Sequence, residues 1–201
     1  MKDLQINKTS KEKIVESLEL IAKELILNRL IIVNKSKFSL IDIELYYWHN
    51  FHKDDYAKGI KHTRPFGDFE LHRYGIDISL GNAKNNDFGG ILIRGLYDID
   101  KKEVLSKSKV VKSLFNQLVQ GNNHFELVKE KTPWKSTFNS KRLNLGQSDN
   151  PNKSEYFNMP YKYLAKDPKL FETYPDKEII LRDSNLNESE IKSLLGYNLS
   201  K

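Results

Sequence analysis

Residues 41–48 alternate so regularly that an extended strand is the element they suit. Ile41, Ile43, Leu45 and Tyr47 fall on one side, and Asp42, Glu44, Tyr46 and Trp48 on the other. The apolar side must meet a core. The other side sets carboxylates between aromatics, which reads either as a solvated face with incidental rings or as a specialised surface. Two more segments, Phe69-Glu70-Leu71-His72-Arg73-Tyr74-Gly75 and Ile91-Leu92-Ile93-Arg94-Gly95-Leu96, also read as strands. Arg94 shares a face with Leu92 and Leu96, and an arginine there needs a partner because an unpaired buried charge is costly. That partner is either a structural ion pair or part of a site.

The remaining pattern supplies helices and turns. Residues 1–8 read as a loose tail, and 9–201 as a single domain. Thr9 with Glu12 fits a capping box, and Ile14, Leu18, Ile21 and Leu25 follow helical spacing, so a helix is expected to about residue 27. Strands are expected at 30–33 and 37–48 around Asn34-Lys35-Ser36, then at 69–80 and 89–97, with a loop between 49 and 68. A second helix is expected over Glu103–Gln120, stopped by Gly121, then a polar loop over 146–158. Asn187 with Glu190 caps a last short helix ending at Gly196. Strands and helices mix without a βαβ rhythm, which predicts an α+β fold with a curved, mostly antiparallel sheet flanked by helices.

The net charge of +6 suits a nucleic-acid partner, although a lysine-rich composition alone also produces it. Residues 101–112 and 129–142 are locally basic, and the second stretch also holds Trp134 and Phe138. No apolar run reaches the roughly 18 residues of a membrane span. The first residues lack the apolar core of a secretory signal, and the chain has no cysteine. A cytoplasmic, nucleoid-associated monomer with no membrane attachment is expected. His49, His52, His62 and His72 lie in one stretch with Glu44, Asp54, Asp55 and Glu70, but their spacing matches no metal motif, so neither metal nor cofactor is expected.

In order and spacing, these landmarks resemble the alkyladenine (methylpurine) DNA glycosylase family. Ile41-Asp42-Ile43-Glu44-Leu45-Tyr46 is similar to its V-E-T-E-A-Y strand. Asp55-Tyr56-Ala57-Lys58-Gly59 with Thr63-Arg64 follows its A-H…G…T loop, with Tyr56 where the family has histidine. The 69–75 segment resembles Y-V-Y-x-x-Y-G with the final Tyr74-Gly75 intact, and Leu92-Ile93-Arg94-Gly95-Leu96 resembles L-L-R-A-L. Lys141-Arg142-Leu143-Asn144-Leu145 and Pro160-Tyr161-Lys162-Tyr163 loosely echo R-V-G-V and P-x-R-F. The family's G-P-G-K-L helix has no counterpart.

The resemblance implies a monofunctional enzyme that flips a modified base out of double-stranded DNA and hydrolyses its N-glycosidic bond, in repair or in defence against foreign modified DNA. Glu44 would activate the water, and Arg94 would hold that water or a neighbouring phosphate. Tyr46, Tyr56, Leu71 and Asn82 would line the base, the last standing at or beside the position of the family's edge-probing asparagine. Tyr74 would wedge into the duplex, with Arg73, Lys141 and Arg142 also on the DNA. Leu71 replaces a family tyrosine, so a changed base preference is implied. A non-catalytic nucleic-acid-binding relative, or an N-glycosidase of RNA or free nucleotides, are the alternatives.

Overall fold

A computed structural model of the chain describes residues 4–59, 65–72, 75–82, 84, 86–119, 124–147 and 149–199. Helix α1 (Lys11–Asn28) buries the expected stripe of Ile14, Leu18, Ile21 and Leu25. Its cap is Ser10, whose hydroxyl accepts from the Lys13 amide; Thr9 instead bonds Asn7, so the predicted cap shifts by one residue. Strand β1 (Arg29–Val33) turns at Asn34, φ 55°, into the long β2 (Ser36–His49). β3 (His52–Lys53) and a 3-10 turn (Asp55–Gly59) occupy the predicted loop.

The expected strand over 69–80 is two strands. β4 (Phe69–His72) and β5 (Gly75–Asn82) pair antiparallel, with His72 opposite Gly75. β6 (Asp87–Asp98) follows as expected. The helix predicted from Glu103 begins later. β7 (Glu103–Ser106) pairs back onto β6, and α2 runs only over Ser108–Val119, with Lys102 and Lys107 at positive φ bracketing the strand. Val104 and Leu105 satisfy a helix pattern and a strand pattern equally, and sheet pairing decides. Gly121 lies outside the described residues. β8 (Phe125–Lys129), β9 (Thr137–Ser140) and β10 (Lys162–Ala165) complete the sheet. The predicted loop at 146–158 contains α3 (Pro151–Phe157), and short helices α4 (Pro168–Phe171) and α5 (Lys177–Arg182) follow. α6 (Glu188–Leu195) has the predicted capping box, and Gly196 closes it at φ 81°.

Among the described residues the strands form one antiparallel sheet in the order β4-β5-β6-β2-β1-β8, so the fold is α+β. Its two outer strands curl until Phe69 of β4 meets Phe125 of β8 edge-on, with ring centroids 4.2 Å apart. β2 is the spine. β6 pairs along one side of it; on the other, β1 pairs with residues 36–39 and β10 with 42–44. An irregularity between Leu40 and Asp42 lets both Leu40 and Ile41 enter the main core. Beyond it the predicted alternation holds, with Ile43, Leu45 and Tyr47 in that core. A second irregularity, between Asp42 and Ile43, leaves Arg94 over on β6 and puts Leu96 in the main core, while Leu92 joins a smaller cluster with Tyr46 and Ala57 on the opposite face. No helix among the described residues is long and apolar enough to cross a membrane.

His52 carries part of this packing. Its Nδ1 lies 2.8 Å from the Tyr47 carbonyl oxygen, which can only accept, so Nδ1 bears the proton. Nε2, 2.6 Å from the Tyr161 hydroxyl, is then an acceptor, and the ring is neutral. Burial pushes its pKa down from the ordinary 6.5 to about 4. The folded pKa lies below the unfolded one, so this contribution is full above about 6.5 and is lost as pH falls toward 4. In urea unfolding, wild type should lose stability relative to His52→Gln across that window, at up to about 1.4 kcal/mol per pH unit. Parallel pH profiles for the two proteins would refute the assignment.

Candidate active site

The polar face of β2 is not solvated. Asp42 and Glu44 are each 1% exposed. They are neighbours on one face, and β10 brings Lys162 opposite Glu44. The Lys162 ammonium lies 2.6 and 2.7 Å from the two Asp42 oxygens and 3.3 Å from Glu44 Oε1. Two more groups complete the set around Glu44. The Tyr46 hydroxyl donates to Oε2 at 3.0 Å, and Arg94 Nε lies 3.7 Å from Oε1. Tyr174, between α4 and α5, donates its hydroxyl to Asp42 at 2.6 Å.

The two carboxyls are pushed apart. Burial raises the Asp42 carboxyl, and the neighbouring charge of Glu44 adds to that; Lys162 and Tyr174 only partly offset it. At Glu44 burial also acts upward, but Lys162, Arg94 and the Tyr46 hydroxyl together outweigh it and hold the carboxyl below the ordinary carboxylate value. Glu44 is therefore a buried carboxylate that stays ionised at neutral pH. Divergence of this kind within one cluster is a feature of acid–base sites, and structural ion-pair networks produce it too.

A crevice of about 10 Å³, room for a single water, is lined by Asp42, Arg94, Lys107, Lys162 and Tyr174; Glu44 lies behind Lys162 and Arg94 and is not on its wall. Leu143 lines this crevice and also a larger cleft of about 210 Å³, bounded by Lys141, Arg142, Asn144, Leu145, Phe157, Asn158 and Asp183. Leu143, at the head of the segment 143–146, is thus a wall shared by the two spaces. The segment is held by Leu145 packing on the Tyr46 cluster and by the Tyr56 hydroxyl donating to the Gly146 carbonyl at 2.7 Å.

Comparison with protein-family models, with characterised proteins and with solved structures finds no match to this chain. The geometry must carry any functional reading by itself.

Three residues singled out in the sequence, Glu44, Tyr46 and Arg94, do converge. Tyr46 is not open for stacking, however. It is 9% exposed, and the Arg142 guanidinium lies over its ring at 4.5 Å. Tyr56 is half-buried beside the same guanidinium, 5.3 Å from its ring.

Leu71 is not a wall of this site. It sits 51% exposed on β4, three strands from β2 and so about 14 Å away. The backbone of Asn82 pairs with Asp87, five residues along β6 from Leu92, the partner of Glu44, which is about 17 Å from that level. Arg73 and Tyr74 lie outside the described residues.

Lys141 borders the larger cleft, 3.7 Å from Asp183. Arg142 is a correction. Its side chain is fully buried against Asp54, at 2.7 Å, and also donates to the backbone carbonyls of Leu45 and Tyr156, so it ties loops to β2 and offers no free charge to a phosphate. Among the described residues no group of three His, Asp or Glu side chains gathers in a way that would hold a metal.

Sequence reading missed Lys162 and Tyr174. Lys162 left a signal, a lysine alternating with Tyr161 and Tyr163 in strand fashion, which places it on the opposite face from them. Tyr174 left none.

Gly95 explains how Tyr174 gets in. A Cβ there would stand 2.7 Å from the Tyr174 hydroxyl and 3.1 Å from Asp42 Cβ, a space the resembled family's L-L-R-A-L segment would fill with alanine. Gly95→Ala should therefore displace Tyr174 from Asp42 and destabilise the fold by about 1–3 kcal/mol. Tyr174→Phe should cost about 1.5–3 kcal/mol, the value of one hydrogen bond to a charged group. Equal stability of Gly95→Ala and wild type in urea would show that Tyr174 is not held there.

Proposed function

We propose that this chain is a DNA N-glycosidase in which Glu44 activates water against the sugar C1′ of a flipped, modified nucleotide. The observation that carries this reading is an ionised, buried Glu44 in contact with Arg94 and Tyr46, behind a crevice the size of one water. A carboxylate so held serves the reaction twice. It accepts the proton of the attacking water. Its charge also opposes the positive charge that develops on the sugar as the base departs. Lys162 and Arg94 orient Glu44, and Arg94, 23% exposed in its side chain, is placed to meet a phosphate at the crevice mouth.

The base itself needs more room than the crevice offers. The neighbouring cleft of about 210 Å³ supplies it if the 143–146 segment swings aside, uncovering the part of Tyr46 on which Leu145 packs while Arg142 stays over the ring. Flipping costs a few kcal/mol, which stacking in that space must offset.

The test is a panel of duplexes carrying 3-methyladenine, hypoxanthine, ethenoadenine and bulkier modified bases, with free nucleotides and single-stranded RNA alongside, read as abasic-site or free-base yield. Abasic-site formation on at least one duplex, lost in Glu44→Gln, is expected. A second reading, a nucleic-acid-binding protein without chemistry, is favoured by the closure of both Glu44 oxygens by Lys162 and Tyr46. Salt-sensitive duplex binding with no product from any substrate would support it. Product from free nucleotides or RNA alone would move the activity off DNA.

A further inference from the structure

Lys162 stands where an ion-pair partner is not the only thing a lysine can be. It is 1% exposed, yet it lines the water-sized crevice, and its Nζ is 3.3 Å from the carboxylate that would aim water at C1′. A sugar carbon attacked by a water on Glu44 would stand up to about 6 Å from that carboxylate, on the side where Nζ can come within reach of it. Its other neighbour, Asp42, is 2.6 Å away and can take a proton from it. A buried lysine with a second cation nearby is a setting in which amines form imines with carbonyl compounds, and Arg94 lines the same crevice. Lys107 also lines the crevice, but its side chain is half exposed and paired with Asp176 at 2.6 Å.

We propose that Lys162 gives the chain a second activity, cleavage of DNA at abasic sites through an imine between its ε-amine and the deoxyribose C1′ aldehyde. The proposal rests on the reading that a deoxyribose is received beside Glu44, but not on base excision itself. Lys162 passes one proton to Asp42, and the amine attacks the aldehyde carbon of the ring-opened sugar. A C–N bond forms, and the carbonyl oxygen leaves as water with the proton held by Asp42 and one from the nitrogen. Glu44 then takes a proton from C2′, the bond from C3′ to its phosphate oxygen breaks, and the 3′ phosphate departs with the electron pair. Water hydrolyses the remaining imine, restoring the amine and releasing an unsaturated aldehyde. No oxidant or reductant takes part.

The experiment supplies the aldehyde directly, so it does not depend on excision. A uracil-containing duplex is converted to abasic DNA by a separate uracil-removing enzyme, and the full-length protein is added with sodium cyanoborohydride. A covalent protein–DNA adduct that maps to Lys162 by peptide mass spectrometry is expected, with strand cleavage when the reductant is omitted. Lys162→Arg keeps the charge and cannot form the imine, so both adduct and cleavage should be lost. Should that variant fail to fold, the position of the wild-type adduct decides alone. No adduct, an adduct on the N-terminal amine or a surface lysine, or an adduct that persists in folded Lys162→Arg would overturn the proposal. An adduct at Lys162 without excision of any modified base would uphold it and count against the glycosidase reading.

Discussion

Replacing Glu44 with glutamine should cut abasic-site formation by about 10²-fold or more, the usual value of a positioned general base, while duplex binding persists. The change keeps the shape and removes the charge. Its amide oxygen at the Oε1 position can still accept from Lys162, its amide nitrogen can donate to the Tyr46 hydroxyl, and Asp42 still neutralises Lys162 at 2.6 Å. The loss should therefore appear in the rate of the chemical step and not in unfolding, which circular dichroism and urea titration can separate. Glu44 is held ionised below the ordinary carboxylate value, so activity should be flat through neutral pH and fall only as Glu44 protonates in acid. Undiminished turnover in folded Glu44→Gln would remove the carboxylate from the mechanism.

Asp54→Asn should destabilise the fold by about 3–5 kcal/mol, the cost of stripping one partner from a buried ion pair. The Arg142 and Asp54 side chains are both wholly buried, joined at 2.7 and 3.3 Å. Without its carboxylate the guanidinium would remain buried among Tyr46, Tyr56 and Tyr161. Arg142→Met should be costly for the mirror-image reason, and an Asp54→Leu, Arg142→Met double change should recover much of the loss. Urea unfolding measures all three. Lys141→Ala, one residue away and half exposed, should leave stability within about 0.5 kcal/mol of wild type. If Asp54→Asn unfolds at the wild-type denaturant concentration, the pair is not the tether described above. Because Arg142 braces both Tyr46 and the loop carrying Asp54, these changes should also loosen the ring that meets Glu44.

What could be read without coordinates was what depends on neighbours in sequence. The two faces of β2 follow from a period of two, the buried stripe of α1 from a period of 3.6, and the ends of α6 from Asn187, Glu190 and Gly196. Glu44 and Tyr46 were legible together because two residues on a strand necessarily share a side. Arg94 was legible as a charge among aliphatics. Where local patterns are ambiguous, pairing decided. The 69–80 run folded into a hairpin, and Glu103–Ser106 left the helix to join β6. Arg142 had every mark of a surface phosphate contact, and only the approach of Asp54, 88 residues earlier, made it internal. The character of the site was decided at the same range. Lys162 meets Asp42 across 120 residues and Tyr174 meets it across 132, in a gap that Gly95 leaves open. The sequence by itself determined that a carboxylate and an arginine would stand on strand faces unsuited to an ordinary core. Only the tertiary structure decided that they would share a buried lysine, because burial and charge pairing depend on which distant segments the sheet brings together, and no local period encodes that.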